Sequence, residues 1–208
     1  MFLIFASFVV FCIWFALKRK SVDRKEQSAE DSYWEREHKA NSVRKRSLAG
    51  LDYITIPDDL EYAGLLPDDP TYTGLCSEID ELKNCKIVNF SGYTNTDLKL
   101  EYGTANITVL TEYDTNYTTL VSRLQAMGRI LYDAGKIPEA TAILEYAVRI
   151  GTDVSQTYYL LADIYYQNGT PERVNELISA AQNIRTLMKD SIIKRLSEDP
   201  LFQPILIP

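Results

Sequence analysis

The sequence predicts a mainly α-helical chain: an N-terminal transmembrane helix, a charged spacer, a small mixed segment and then a short α-solenoid. Three observations predict it. One block of about 34 residues occurs twice in register, the period of a stacked helix–turn–helix unit. Residues Ile107, Leu110, Asp114, Tyr117, Val121, Leu124, Gly128 and Leu131 recur at alternating spacings of three and four, one face of a helix. No charge stands between residues 2 and 17, and Lys18, Arg19 and Lys20 follow at once.

The uncharged run is sixteen residues rich in Phe, Ile, Val, Leu and Trp. As a helix it reaches about 24 Å, against a hydrocarbon core near 30 Å. Snorkelling of the three flanking cations and local bilayer thinning absorb such a shortfall, so residues 1–17 are expected to form a single-pass transmembrane anchor. A cleaved signal peptide is the competing reading, but no Lys or Arg precedes the run and no A-x-A-like site follows it. The positive-inside rule then places Lys18, Arg19, Lys20, Arg24 and Lys25, and the rest of the chain with them, in the cytoplasm.

Charge is partitioned. Residues 18–50, the expected charged juxtamembrane spacer, carry ten Lys or Arg against six Asp or Glu, a net of +4. Residues 51–208 carry twelve against twenty-three, a net of −11. The basic part suits an anionic leaflet. The acidic part is repelled by polyanions, so nucleic-acid binding is not expected.

Residues 51–103 read as a small mixed α/β segment. Residues 53–56 and 86–90 have short strand character, and Leu75, Ile79 and Leu82 make residues 75–85 helical. Asp58-Asp59 and Asp68-Asp69-Pro70 mark turns.

Residues 104–208 form the helical domain, with repeats near 121–154 and 155–188. Leu124, Met127, Gly128, Leu131, Tyr132, Gly135, Ala140, Leu144 and Ala147 align with Tyr158, Leu161, Ala162, Tyr165, Tyr166, Gly169, Val174, Ile178 and Ala181. Antiparallel helices approach to about 8–10 Å where small side chains face each other. Gly128 or Ala162 in the first helix and Ala147 or Ala181 in the second supply those contacts. Gly135 and Gly169 stand where a first helix ends in a left-handed residue, and Pro138 and Pro171 suit the first turn of the next. An ordinary four-helix bundle with hairpins alike by accident is the plain alternative.

A helix beginning near Thr104 extends the first repeat helix. Gly151-Thr152-Asp153 supplies a stop and cap after the first copy; no break follows the second, where the helix is expected to run past Met188 before Asp190 and Ser191 restart it. Ile192, Ile193 and Leu196 give a short terminal helix to cap the exposed edge. The tail at residues 201–208 is apolar, its prolines forbid a helix, and it is expected to pack on the domain's own surface or to dock on another protein. Two repeats are fewer than the three usually needed for a continuous core, so neighbouring helices must complete it.

This pattern resembles the tetratricopeptide repeat (TPR) family from residue 121 to about 188. Thr152 and Thr186 depart from it, standing where repeats of that family commonly close with proline. The layout of anchor, spacer and small repeat domain is also similar to single-pass TPR proteins of Gram-positive bacteria. The resemblance implies a protein or peptide ligand on the concave side, lined by the first helix of each repeat. The matching positions are Ser122, Gln125, Arg129, Tyr132 and Asp133, then Gln156, Tyr159, Asp163, Tyr166 and Gln167. Gln125, Arg129, Tyr132, Tyr159, Asp163 and Tyr166 are the partner-binding candidates, with Arg129 and the three tyrosines as anchors, because Arg and aromatic side chains dominate interface energetics. The alternatives are an Arg129–Asp163 ion pair across the repeats and half-buried core tyrosines at 132 and 166. Arg129 is the only cation among the ten, so a basic clamp on a C-terminal carboxylate is not evident, and an internal or helical ligand segment is expected.

Catalytic and metal constellations are not apparent. His38 is the only histidine, and no G-x-G-x-x-G, P-loop or G-x-S-x-G occurs. Cys76 and Cys85 are nine apart and on one helix would face opposite sides. No enzyme activity, metal, cofactor or small-molecule substrate is expected. Asn89, Asn106, Asn116 and Asn168 match the N-glycosylation acceptor pattern, in positions where Asn also serves caps and turns. The expected function is a membrane-anchored adaptor that holds a partner protein at the cytoplasmic face of the membrane. A structural subunit of a larger membrane complex, or an exported binding module, are the alternatives.

Overall fold

The computed structural model describes residues 2–198; the apolar tail at 201–208 and its expected docking lie outside them. The described residues contain eight α-helices, α1 (Phe2–Ser42), α2 (Pro70–Leu82), α3 (Asn95–Tyr102), α4 (Ile107–Asp133), α5 (Ile137–Arg149), α6 (Ser155–Gln167), α7 (Val174–Ala181) and α8 (Met188–Glu198), and no strand. The chain divides into two compact units, Met1–Ser47 with Thr94–Ile107, and Leu48–Tyr93 with Thr108–Pro208.

In the first unit, α1 runs unbroken from the apolar N-terminal stretch through the three cations and most of the charged spacer. Among the described residues no helix is long and apolar enough to cross a membrane. This corrects the transmembrane anchor expected at residues 1–17, and with it the single-pass localisation and the basis for placing the domain in the cytoplasm. The physical reason is length. The uncharged run is sixteen residues, a span takes about 20, and the helix continues directly into cations.

The C-terminal part of α1 is fastened to α3 by charge. Lys99 Nζ lies 2.7 Å from Glu37 Oε1, Thr96 Oγ1 donates to Glu37 Oε2 at 3.0 Å, and Arg36 pairs with Asp97. Thr94 and Asp97 form a reciprocal capping box at the start of α3. Gly103, at φ +88°, passes so near the Arg44 backbone that a Cβ there would meet the Arg44 carbonyl oxygen, so no other residue fits.

In the second unit, the strands expected at 53–56 and 86–90 are absent. One backbone bond, Ile54 N–H to the Ile87 carbonyl at 2.9 Å, joins the two segments, and a single bond makes no ladder. Ile56 and Ile87 instead bury their side chains in a core with Tyr72, Leu75, Ile79 and Leu82 of α2 and the apolar faces of α4 and α5. The helix expected at 75–85 begins earlier, because the Asp69 side chain accepts from the Thr71 and Tyr72 N–H groups and Pro70 opens the first turn.

The helical pairs follow the sequence period closely. Leu110, Tyr117, Val121, Leu124, Gly128 and Leu131 are the buried face of α4, which starts after a 3₁₀ turn at Thr104–Asn106. Gly135, Gly151 and Gly169 have φ of +75°, +79° and +73°. Each closes a helix by the same pair of bonds: Gly135 N–H to Tyr132 O with Lys136 N–H to Leu131 O, and the equivalents after α5 and α6. One expectation fails. α7 ends at Ala181, and Ile184 turns inward, 7% exposed, before α8 begins at Met188. The second copy therefore has its own break, made by burying Ile184 rather than by glycine or proline.

A second core joins Leu144 of α5 to Tyr158, Leu161, Ala162 and Tyr165 of α6, Val174, Leu177 and Ala181 of α7, and Ile192 and Leu196 of α8. The two helical pairs are thus flanked by α2, tied to α4 through Glu78 and Arg123, and by α8, whose outward positions Lys194, Arg195, Ser197 and Glu198 are polar. A stack of helix pairs with a polar terminal cap is consistent with an α-solenoid.

Candidate functional site

The six partner-binding candidates lie on two helices, Gln125, Arg129 and Tyr132 on α4 and Tyr159, Asp163 and Tyr166 on α6. None of them is buried: Arg129 and Tyr166 are exposed, Tyr166 at 38%, and the other four are half-buried. Their helical neighbours Leu124, Met127, Gly128 and Leu131, then Tyr158, Leu161, Ala162 and Tyr165, are all buried. The same 3.6-residue period that sends small and large apolar side chains to the core leaves these six with open surface, although Tyr132 packs one side against both cores, as a half-buried core tyrosine does, and Tyr159 packs one side against the second.

Contacts join the two halves of this face. Gln167 Nε2 of α6 donates to Tyr132 Oη of α4 at 2.8 Å. Arg129 Nε lies 2.9 Å from Asp133 Oδ2, one turn along the same helix, and its guanidinium carbon is 5.8 Å from the Tyr132 ring centroid. The hydrogen bond that Arg129 donates to Asp133 raises the Arg129 pKa, and the Asp163 charge adds to it across the helices. Arg129 thus pairs along its own helix, with Asp163 contributing through its field.

Tyr159 has a partner that the sequence did not announce. The Arg195 guanidinium of α8 stands 4.2 Å from its ring centroid, close enough for a cation–π contact. The terminal helix is legible in sequence through Ile192, Ile193 and Leu196; an Arg one residue from a buried Leu carries no signal of the ring it covers. The face therefore has two cations, Arg129 and Arg195, rather than one.

Other groups serve structure. Asn89 Nδ2 donates to Tyr117 Oη at 2.8 Å and to the carbonyls of Ile150 and Gly151. Asn106 Nδ2 donates to the Arg46 and Tyr102 carbonyls, and Asn116 Nδ2 to that of Lys86. In three of the four acceptor matches, then, the nitrogen that would carry a glycan already holds backbone. Cys76 and Cys85 are free thiols, and burial pushes Cys76 up from its ordinary pKa. Among the described residues no group of three or more His, Cys, Asp or Glu is placed to hold a metal.

Compared with protein-family models, with curated proteins and with solved structures, the chain has no match.

Proposed function

We propose that the helical unit is a TPR-type adaptor module that holds a protein or peptide on the α4–α6 face and performs no chemistry on it. The observation that carries this reading is the separation of roles along α4 and α6. The repeat positions Leu124, Met127, Gly128, Leu131, Tyr158, Leu161, Ala162 and Tyr165 are buried, while Arg129, Tyr132, Tyr159 and Tyr166 keep open surface on one face, Tyr132 and Tyr159 with one side against the cores. Tyrosine and arginine bury large area on association at low entropic cost. The ligand is an internal or helical segment, because neither Arg129 nor Arg195 belongs to a cluster of cations fit to grip a terminal carboxylate. Two helical pairs offer a short groove, and the affinity expected is on the order of micromolar.

The test places a photo-crosslinking residue at position 166 and, separately, at the exposed position Asn175 of α7. The reading requires a discrete crosslinked protein from position 166 that is lost when Arg129 and Tyr132 are replaced by alanine at unchanged melting temperature. Equal products from both positions, or a product indifferent to the double replacement, overturns it.

A further inference from the structure

The loop at residues 65–69 and the last turn of α4 enclose an open cleft of about 680 Å³, within the span of about 300–1,000 Å³ typical of ligand sites. Its wall is apolar. Leu65, Leu66 and Ile130 pack on the first core by one side and are only half-buried, leaving the other side to the cleft. Its rim is anionic, formed by Asp68, Asp69 and Asp133.

The three carboxylates have capacity to spare. Asp69 uses one oxygen to cap α2. Asp133 is held by Arg129 in a pair exposed on both sides, which exchanges partners at little cost. Among the described residues no cation pairs with Asp68, which is exposed. Asp133 is also a position of the α4 face, so the cleft continues the groove past Arg129 and Tyr132.

We infer that this cleft receives an aliphatic side chain and a neighbouring Lys or Arg of a cationic amphipathic segment of the partner protein. The inference rests on reading the α4–α6 face as a ligand groove, and it names the ligand's chemistry. An acidic or wholly polar segment would bring like charge or unpaired groups against the rim and the apolar wall. A Lys or Arg stem lies along apolar surface while its head reaches the rim. The net charge of −11 over residues 51–208 steers such a segment toward the surface as well.

Fluorescence polarisation on the full chain tests this with three labelled peptides of one length. One carries Leu and Lys a helical turn apart, one has Glu for Lys, and one has Ser for Leu. The first should bind on the order of tenfold more tightly than either other and weaken with salt. In the Asp68→Asn/Asp133→Asn variant, with its melting temperature unchanged, it should lose on the order of tenfold in affinity. Equal binding of the Lys and Glu peptides, or undiminished binding to that variant, overturns the cleft assignment. An Arg129→Ala/Tyr166→Ala variant separates the two ideas. Loss there without loss in the aspartate variant leaves the groove and removes the cleft; loss in the aspartate variant alone keeps the cleft and removes the groove.

Discussion

Gly128 of α4 and Leu144 of α5 occupy one space: a Cβ on Gly128 would lie 2.5 Å from Leu144 Cδ2 and 2.6 Å from its Cγ. Leu144 is fully buried, so it cannot swing away. Replacing glycine in a helix by alanine ordinarily gains about 1 kcal/mol. Here Gly128→Ala should instead lower stability, and Gly128→Leu should cost about 1–3 kcal/mol through overpacking. Gln125→Leu, on the open face, should change stability by less than about 0.5 kcal/mol. Thermal melting checks all three. Leu144→Ala combined with Gly128→Ala should be less harmful than the two costs added, because removing the Leu144 side chain empties the space that a Cβ at position 128 needs.

The Asn89 amide joins three chain segments at once, its own at 86–90, Tyr117 of α4 and the turn between α5 and α6. Asn89→Ala should cost about 1–3 kcal/mol, since it leaves the Gly151 carbonyl and the Tyr117 hydroxyl without their donor and the Ile150 carbonyl with the Tyr117 hydroxyl alone. Asn89→Asp should be worse at neutral pH. It replaces the donor by a carboxylate facing carbonyls, in a region where burial already raises the Asp114 pKa and the Asp153 charge raises it further. A carboxyl whose folded pKa is raised regains stability as pH falls through that value. Melting of the Asp variant should therefore recover part of its loss between neutral and mildly acidic pH, and a pH-independent deficit would contradict this account.

The helical pairs were legible because their signals are local and repeated. Gly128, Gly135, Gly169, Ala162 and Ala181 each answer to one backbone requirement, and the 34-residue period presents that requirement twice. The exposure of Arg129 and Tyr166 follows from the same period. What the sequence concealed depends on partners distant in the chain. Arg195 is read by Tyr159, Glu78 by Arg123, and Ile184 by a core assembled from four helices. Residues 53–56 and 86–90 have short strand character, yet the helices offer their apolar side chains a better burial than a lone pair of strands would. The N-terminal run misled in another way: its composition suggested a span, while its length stops at the cations.

α8 should prove a structural part of the second pair rather than an appendage. Ile192 is fully buried and Leu196 is 1% exposed. Ile192→Ala should cost about 2–5 kcal/mol, whereas Arg195→Ala should cost about 0.5–1 kcal/mol through the lost ring contact. Truncation after Leu187 should destabilise more than either, by uncovering the apolar side of α6 and α7. Chemical denaturation that ranks the three otherwise would show that α8 does not complete this core.

The attachment of α3 to α1 should be acid-labile. Glu37 is held below the usual carboxylate range chiefly by its hydrogen bond with Lys99, and next by that with Thr96. Asp97 is lowered chiefly by the Thr94 side chain, and then by the Thr94 backbone, with Arg36 contributing less. For a carboxylate whose folded pKa is depressed, the stability gained is fully present above the unfolded value, about 4, and is lost as pH falls through the lower folded value. Hydrogen-exchange protection of the α3 amides, corrected for intrinsic rates, should therefore be level above about pH 5 and fall below about pH 4. Protonating Glu37 releases Lys99, and protonating Asp97 opens the capping box, so both ends of a helix of only eight residues are affected together. Glu37→Gln combined with Asp97→Asn should lower α3 protection at neutral pH and flatten its dependence below about pH 4. An unchanged acid profile in that variant would assign the lability to other groups, and level protection in the parent down to about pH 2 would remove the charged attachment as its cause.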